Sequence, residues 1–386
     1  MTNILILHVE AGLGHRKVAE AIAEELRARN KPGVPPNVSV EVMDALEKTP
    51  ASFRNFYPKL YFQLVTRAPW IWGFFFFFTN LPWVYFLIAP LRSLWNQIQS
   101  RELEAYLGKR RFDFILFTHF FPAQVCGRIK KKGHTNATLI TVVTDVIPHA
   151  VWQNPGSDFY WVMANESKQV LLKRGVREEQ IYPEGIPVAS IFSKQEDDEA
   201  LREKFGLEKE RFTLLFTGGS FGIGPTKAIL ESLNTPNVNQ KIQAIVVCGN
   251  NQKLFETLNK RRFRFPIFLF GFINNMHEIM SCSDLILAKS GGATMCESLN
   301  KNIPMVIMEP IPGQESYNAK WLVNHGAAFQ IRSVGEIKEL LLQILENRHM
   351  LKNTHLAITK ISKPNAVSDI ANFILLKAKY RKEQRL

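Results

Sequence analysis

The sequence predicts two consecutive α/β domains, each a doubly wound parallel sheet with helices on its faces. Three observations carry that expectation. A strand-like run, Ile4 to His8, is followed by the glycine turn Ala11-Gly12-Leu13-Gly14-His15 and then by an amphipathic helix, the order in which a nucleotide-type α/β domain opens. Short apolar runs then alternate with segments of helical periodicity along the rest of the chain, as strands joined by crossover helices do. Finally, 386 residues exceed what one hydrophobic core usually supports.

In the opening unit the glycines let the backbone turn tightly and set His15 at the N-terminus of the helix. Val18, Ala19, Ile22, Ala23 and Leu26 make its apolar stripe, with Arg16, Lys17, Glu20, Glu24 and Glu25 opposite. Such turns also occur in α/β proteins of no particular chemistry, so His15 reads either as a catalytic imidazole or as part of a plain turn. Strand-like Phe114 to Thr118, Leu139 to Val143 and Tyr160 to Ala164 continue the first domain. The polar stretch Ser193 to Phe205, after Gly185-Ile186-Pro187, marks a boundary, giving domains at 1–192 and 193–386. A second strand series follows at Phe212 to Thr217, Ile242 to Cys248, Ile267 to Phe270, Leu285 to Ala288, Met305 to Met308 and Ala328 to Ile331. Ligands of such sheets sit at the carboxyl ends of the strands, and two such domains facing each other make a cleft.

Composition narrows the class. A hydrophobic fraction of 46%, a charged fraction of 22% and a mean hydropathy of −0.08 are globular values that argue against a polytopic membrane protein and against disorder. Cys126, Cys248, Cys282 and Cys296 are scattered, with no C-x-x-C pair, and read as reduced core residues of a cytosolic protein. The N-terminus has no basic region or cleavage site, so no export is implied. The formal charge of +13 predicts attraction to a polyanion: nucleic acid, an anionic membrane or a phosphorylated ligand. Its clusters are Lys109-Arg110-Arg111, Lys130-Lys131-Lys132, Lys260-Arg261-Arg262 and the tail Lys377, Lys379, Arg381, Lys382 and Arg385. Each of them also reads as a solvated face or a soluble tail.

Residues 53–95 form an aromatic insertion. From Ala68 to Leu91 there is no charged residue, and the stretch holds Trp70, Trp72, the run Phe74 to Phe78, Trp83, Tyr85 and Phe86. A buried core segment and a membrane-spanning helix are two readings of it. Pro69, Pro82 and Pro90 would interrupt a single span. The favoured reading is monotopic: aromatics dip into one leaflet while Arg54, Lys59, Arg67 and Arg92 meet anionic lipid. Five consecutive phenylalanines are too apolar for a groove that stacks nucleic-acid bases, so no nucleic-acid partner is expected.

Two glycine turns follow strands in the second half. Gly218-Gly219-Ser220-Phe221-Gly222-Ile223-Gly224 precedes a helix, and the backbone N–H groups of such a turn can hold phosphate oxygens. It is not a Walker loop, since no Gly-Lys-Ser/Thr ends it. Lys289-Ser290-Gly291-Gly292-Ala293-Thr294 offers a second phosphate seat, and Glu297, a turn further on, can accept hydrogen bonds from two ribose hydroxyls.

With these residues in view the chain resembles the family 28 glycosyltransferases, and within them the monogalactosyldiacylglycerol synthase and processive diacylglycerol glucosyltransferase group. The matching pieces, in order, are Gly12-Leu13-Gly14-His15, Thr144-Asp145 with His149 and Trp152, Gly185-Ile186-Pro187-Val188 and Gly218-Gly219-Ser220. They continue with Gly271-Phe272-Ile273, Ser290-Gly291-Gly292 with Glu297, and Pro312-Gly313-Gln314-Glu315 with Asn318. The resemblance implies a GT-B fold in which the C-terminal half binds UDP-glucose or UDP-galactose and the N-terminal half presents diacylglycerol, with inversion at the anomeric carbon. It implies that His15 is the general base, with Asp145 either orienting or replacing it, and that Asp145, His149 and Trp152 line the acceptor side. Gly14, Gly218, Gly219, Ser220, Ser290, Gly291, Gly292, Ala293, Thr294 and Glu297 would meet the nucleotide, Phe272 and Ile273 the uracil, Gln314 and Glu315 the sugar. No Asp-x-Asp motif is present, and helix N-termini can stabilise the departing diphosphate, so neither metal nor cofactor is expected. The expected place of action is the cytoplasmic face of a membrane, peripherally bound.

Two departures from the family's pattern stand out: Ser220 occupies a position often held by glycine, and the insertion is unusually rich in phenylalanine. Two rival readings remain. The related N-acetylglucosaminyltransferase of the lipid-linked cell-wall precursor shares the Ser290 to Thr294 piece, Glu297, Gln314 and Asn318, but opens on a denser glycine run and lacks the Thr144 to Trp152 pattern. A non-catalytic nucleotide-binding membrane sensor would keep the glycine loops but not His15.

Overall fold

The computed structural model describes residues 1–10, 12–30, 37–219, 224–308 and 310–383. The chain forms two compact units, one of Met1–Ser190, Ile311–Gln314 and Lys363–Leu386, the other of Ile191–Pro310 and Glu315–Ser362. A linear division at residue 192 therefore misassigns two segments: the turn that ends at Gln314 and the basic C-terminal segment both pack with the first unit.

The first unit holds a parallel sheet of six strands: β1 (Thr2–His8), β2 (Val38–Asp44), β3 (Phe114–Phe117), β4 (Thr138–Val142), β5 (Phe159–Trp161) and β6 (Ile181–Tyr182), in the order β2-β1-β3-β4-β5-β6. Ile4, Leu5, Ile6 and Leu7 are fully buried, because an interior parallel strand is covered on both faces and reads as an unbroken apolar run. The chain passes from β1 outward to β2 and then returns to β3 on the other side. The switch point thus lies between β1 and β3, where ligands of such sheets collect. Leu7 pairs with Phe117, so His8 and Thr118 leave the sheet side by side. Helix α1 (Leu13–Arg29) starts from this edge, and Gly12 makes the turn into it at φ +135°, open only to glycine at low cost.

The aromatic insertion is helical throughout: α2 (Ala51–Arg67), α3 (Pro69–Asn80) and α4 (Pro82–Gln99). Pro69 and Pro82 open their helices, where the missing N–H breaks no hydrogen bond, so these prolines divide the segment without unravelling it. No single helix among the described residues is long and apolar enough to cross a membrane. The pair α3–α4 meets that test together but is bent by 97° at its junction. Side-chain period sorts α3 into two faces. Trp70, Phe74, Phe77 and Phe78 point outward, Trp70 being 74% exposed, while Gly73 is buried and Trp72 and Phe76 are partly covered. In α4, Trp83, Leu87, Leu91 and Trp95 continue an exposed apolar row, and Val84 and Tyr85 are buried. Residues 51–100 contain no acidic side chain.

Helix Ala366–Glu383 closes the first unit by burying Ile370, Ala371, Ile374 and Ala378. Arg29 donates to Ser368 Oγ at 2.5 Å, and Arg381 donates to the carbonyls of Asp113 and Asn136, each at 2.6 Å. Lys377 lies over the rings of Phe159 and Phe373. Two of the basic tail's cations are thus engaged by the protein itself, and the soluble-tail reading gives way to a docked helix.

The second unit repeats the theme with β7 (Phe212–Thr217), β8 (Ile242–Val247), β9 (Ile267–Phe270), β10 (Leu285–Ala288), β11 (Met305–Met308) and β12 (Ala328–Ile331), all parallel, in the order β12-β11-β10-β7-β8-β9. Its switch point lies between β7 and β10. The polar stretch at 193–205 is part of this unit and includes helix Asp198–Lys204, which Asp197 caps by accepting from the Ala200 N–H at 3.2 Å. From it Arg202 reaches Asp284 (3.2 Å), whose carboxylate also accepts from the Thr213 N–H (2.7 Å), locking the helix to the start of β7. All four cysteines are free and buried.

Candidate active site

At the β1/β3 switch point the first unit encloses a pocket of about 220 Å³ lined by His15, Tyr57, Tyr61, Trp72, Phe75, Phe76, Thr79, His119, Phe120, Asp145, His149, Val151, Trp152 and Gln314. His15 enters from the first turn of α1. Its Nδ1 lies 2.6 Å from the carbonyl oxygen of Thr118, and that carbonyl can only accept. The Nδ1 atom therefore carries the proton and donates it to Thr118, leaving the Nε2 lone pair as the ring's basic site. Thr118 Oγ1 returns a hydrogen bond to the His15 carbonyl (2.9 Å), and Thr144 Oγ1 stands 3.2 Å from Nδ1. Burial pushes the His15 pKa down to about 4, against a smaller raising effect of the Thr118 bond, with nearby His8 adding to the depression. The imidazole is neutral at pH 7. Burial, more than the helix terminus, is the cause.

His119, just beyond β3, meets the His15 ring edge-on at 4.8 Å and accepts the Phe121 N–H at Nδ1 (3.1 Å). Its pKa is lowered by burial and by His15, so neither imidazole charges easily beside the other. Trp152 is buried and lies 6.4 Å from the His15 ring, and Asp145 lines the same space, half-buried.

His149 is fully engaged. It accepts the Val151 N–H at Nδ1 (3.1 Å) and donates from Nε2 to the Phe76 carbonyl (2.8 Å). Burial lowers its pKa to about 4. Asn80 accepts from the Ala150 N–H and from Arg174, both at 2.8 Å. These bonds pin the C-terminal half of α3 to the 148–151 turn, so in this geometry His149 shapes the wall of the pocket rather than exchanging protons.

In the second unit a crevice of about 70 Å³ lies at the carboxyl ends of β7, β10 and β11, lined among others by Thr217, Gly224, Thr226, Ala288 and Lys289. Gly218 and Gly219 follow β7, and the Gly219 N–H reaches Thr217 Oγ1 at 3.4 Å. Ser220 lies outside the described residues. Gly291 caps helix Gly292–Asn300 without a side-chain acceptor, so the first-turn N–H groups of Gly292, Ala293 and Thr294 lack intrahelical partners and suit an anion. Glu297 is buried in this helix. Ser290 differs from expectation. Its hydroxyl is buried and donates to the Glu315 carbonyl (2.7 Å), while Asn318 donates to the Ser290 carbonyl (2.9 Å). Ser290 therefore fixes one loop to another rather than offering its hydroxyl to a phosphate. Phe272 is half-exposed, with Ile273 partly covered beside it after β9. Gln314, expected in the second domain, lines the first unit's pocket instead. Gly14 is exposed on the turn that carries His15.

Thr118, His119, Tyr57, Tyr61 and Trp72 join the pocket or its hydrogen bonds without a motif in the sequence that marks them. Thr118 and His119 immediately follow a strand beside the switch point, a signal available once the strand order is known. The aromatic residues were assigned to the lipid surface as a group; the period of the helices separates the inward from the outward members.

Residues 15–188 match the family model described as monogalactosyldiacylglycerol (MGDG) synthase, and residues 213–373 match the glycosyltransferase family 28 C-terminal domain. A processive diacylglycerol β-glucosyltransferase of Bacillus cytotoxicus is 28% identical over 377 residues, covering 97% of this chain and 93% of that protein. One of Bacillus cereus is 26% identical over the same shares. Among solved structures, Acinetobacter baumannii MurG superposes with a TM-score of 0.62 at 16% identity, covering 97% of this chain and 99% of that one. Anabaena HepE in complex with UDP-glucose gives a TM-score of 0.56 at 13% identity, with 98% and 100% covered. These last two speak to the fold, which is that of two-domain GT-B proteins.

Proposed function

The chain belongs to the family 28 glycosyltransferases with an N-terminal half of the monogalactosyldiacylglycerol synthase type, and on that premise we propose that it moves a hexose from a UDP-sugar to the free hydroxyl of diacylglycerol, with inversion and without a metal ion. The single observation that supports the chemistry best is the His15 tautomer: Nδ1–H is held by the Thr118 carbonyl, and Nε2 is left basic in an aromatic-lined pocket.

The acceptor hydroxyl enters this pocket and gives its proton to Nε2 as its oxygen attacks the anomeric carbon from the face opposite the diphosphate. The bond from that carbon to the diphosphate oxygen breaks, and UDP leaves with the electron pair. An α-linked donor then gives a β-linked product, the configuration in the relatives' names, which also favour glucose as the sugar. Asp145, lining the same pocket, offsets the charge of the imidazolium that forms. The negative charge developing on the diphosphate is met by the first-turn N–H groups of helix Gly292–Asn300 and by Lys289, and Glu297 holds the ribose. The exposed apolar faces of α3 and α4 enter the outer part of one leaflet, with Arg54, Lys59 and Arg67 at the level of anionic headgroups. The enzyme would thus work as a peripheral protein at the cytoplasmic face.

The test is transfer from labelled UDP-glucose and UDP-galactose, separately, to diacylglycerol in phosphatidylglycerol-containing vesicles with a chelator present, the anomer of the product being read by NMR. A β-glycosyldiacylglycerol formed in chelator supports the acceptor, the inversion and the metal independence, and names the sugar. An α-linked product or an absolute need for divalent metal would refute inversion or metal independence.

A further inference from the structure

Gln314 is reached by the aromatic insertion in three ways. Its Nε2–H donates to the Tyr61 hydroxyl oxygen at 3.0 Å, and Tyr61, from α2, packs edge-on to Trp72 of α3 at 5.1 Å. The turn before it is seated on α3 without slack. A Cβ on Gly73 would stand 2.7 Å from Pro312 Cβ, and a Cβ on Gly313 would fall 2.6 Å from the Phe76 ring. Gly313 also holds φ at +99°, a conformation that side chains resist. With its amide nitrogen committed to Tyr61, Gln314 keeps Oε1 buried and unpartnered, and Trp72 Nε1 is likewise orphaned. One is an acceptor and the other a donor, and both side chains line the pocket that contains His15. Orphaned buried polar atoms are costly unless a ligand supplies what they lack, and a sugar hydroxyl supplies both a donor and an acceptor.

We propose that Tyr61 and the inward face of α3 at Gly73 and Phe76 are positioning residues for Gln314, so that the insertion that meets the lipid also sets the residue that meets the sugar. The proposal rests on the reading that Gln314 contacts the hexose. Tyr61 acts by fixing the rotamer of the Gln314 amide, and Gly73 acts by admitting the Pro312–Gly313 turn close to the helix.

Steady-state kinetics with diacylglycerol vesicles and the more active of UDP-glucose and UDP-galactose test it on Tyr61→Phe, Gly73→Ala, Gln314→Ala and the double variant Tyr61→Phe/Gln314→Ala. Inhibition by UDP, which lacks the sugar, and vesicle co-sedimentation serve as readouts that a merely structural loss would also move. Tyr61→Phe and Gly73→Ala should each raise KM for the UDP-sugar roughly three- to tenfold. The inhibition constant of UDP and the bound fraction should change by less than about twofold, and Tyr61→Phe should add nothing in the Gln314→Ala background. If Gln314→Ala raises that KM while the other two variants leave it unchanged, or if the Tyr61→Phe effect persists in the double variant, the positioning role is overturned and the sugar contact stands. If Gln314→Ala leaves the KM unchanged, the sugar contact itself fails and the proposal falls with it.

Discussion

At His15 the burial that lowers the imidazole pKa to about 4 dictates how the rate depends on pH. A general base works deprotonated, so activity is lost as pH falls through its pKa, and a depressed pKa moves that loss to lower pH. The acid limb of kcat/KM, which reports the free enzyme, should therefore lie well below pH 6.5. A limb at or above pH 6.5 would mean that His15 is not the base or is not buried as described. Residue identity was legible where chemistry and turn coincide. His15, read as the base, and Asp145, His149 and Trp152, read as the acceptor side, all line one pocket. What one side chain does with its atoms was less legible. The polar atoms of Ser290 and His149 are committed to Glu315, Phe76 and Val151, and no sequence pattern reports a hydrogen bond to a carbonyl many residues away.

Among the elements, the bent pair α3–α4 has the most direct consequence. Trp70, Phe74 and Phe77 lie at helical spacing on the outward face of α3, 74%, 61% and 45% exposed, and none lines the pocket. Replacing all three with serine should leave the fold and UDP affinity intact while lowering partition into anionic vesicles at least about tenfold, given roughly 2 kcal/mol for each large apolar side chain withdrawn from lipid. Co-sedimentation checks the loss of partition, and thermal melting and UDP titration check that fold and affinity are kept. Unchanged partition would place the membrane contact elsewhere. The interior strands were legible because parallel strands covered on both faces are continuous apolar runs. The edge strands of the first sheet were not: β2 alternates as Val38-Ser39-Val40-Glu41, and β6 is only two residues long. The insertion was not legible as three helices, since Pro69 and Pro82 signal both breaks and helix starts.

For the whole molecule, the C-terminal helix returns to the first unit, with contacts such as Arg29 to Ser368 that no local period can foretell. Ending the chain at Ser362 should remove about 5 kcal/mol or more of buried contact from Ile370, Ile374 and their neighbours, lowering the melting temperature and soluble yield. UDP binding, which this account assigns to the second unit, should fall by less than about threefold per folded molecule. Loss of both together would mean that the two units do not fold separately. Stability should also follow the buried histidines. His15 and His149 titrate near 4 when folded and near 6.5 when unfolded, so the unfolded chain takes up protons that the folded one refuses. Their contribution is complete above pH 6.5 and is lost as pH falls toward 4. Melting temperature should drop by roughly 5 °C or more across that window, and His149→Gln should flatten the decline.

The most direct test of the central claim is single-turnover transfer of labelled hexose to diacylglycerol in anionic vesicles by the His15→Gln variant, with UDP-sugar affinity measured in parallel by calorimetry. Transfer should fall by about a thousandfold or more while affinity stays within about threefold. Near-normal transfer by that variant would contradict the claim, removing His15 from the chemistry and leaving Asp145 as the group to examine.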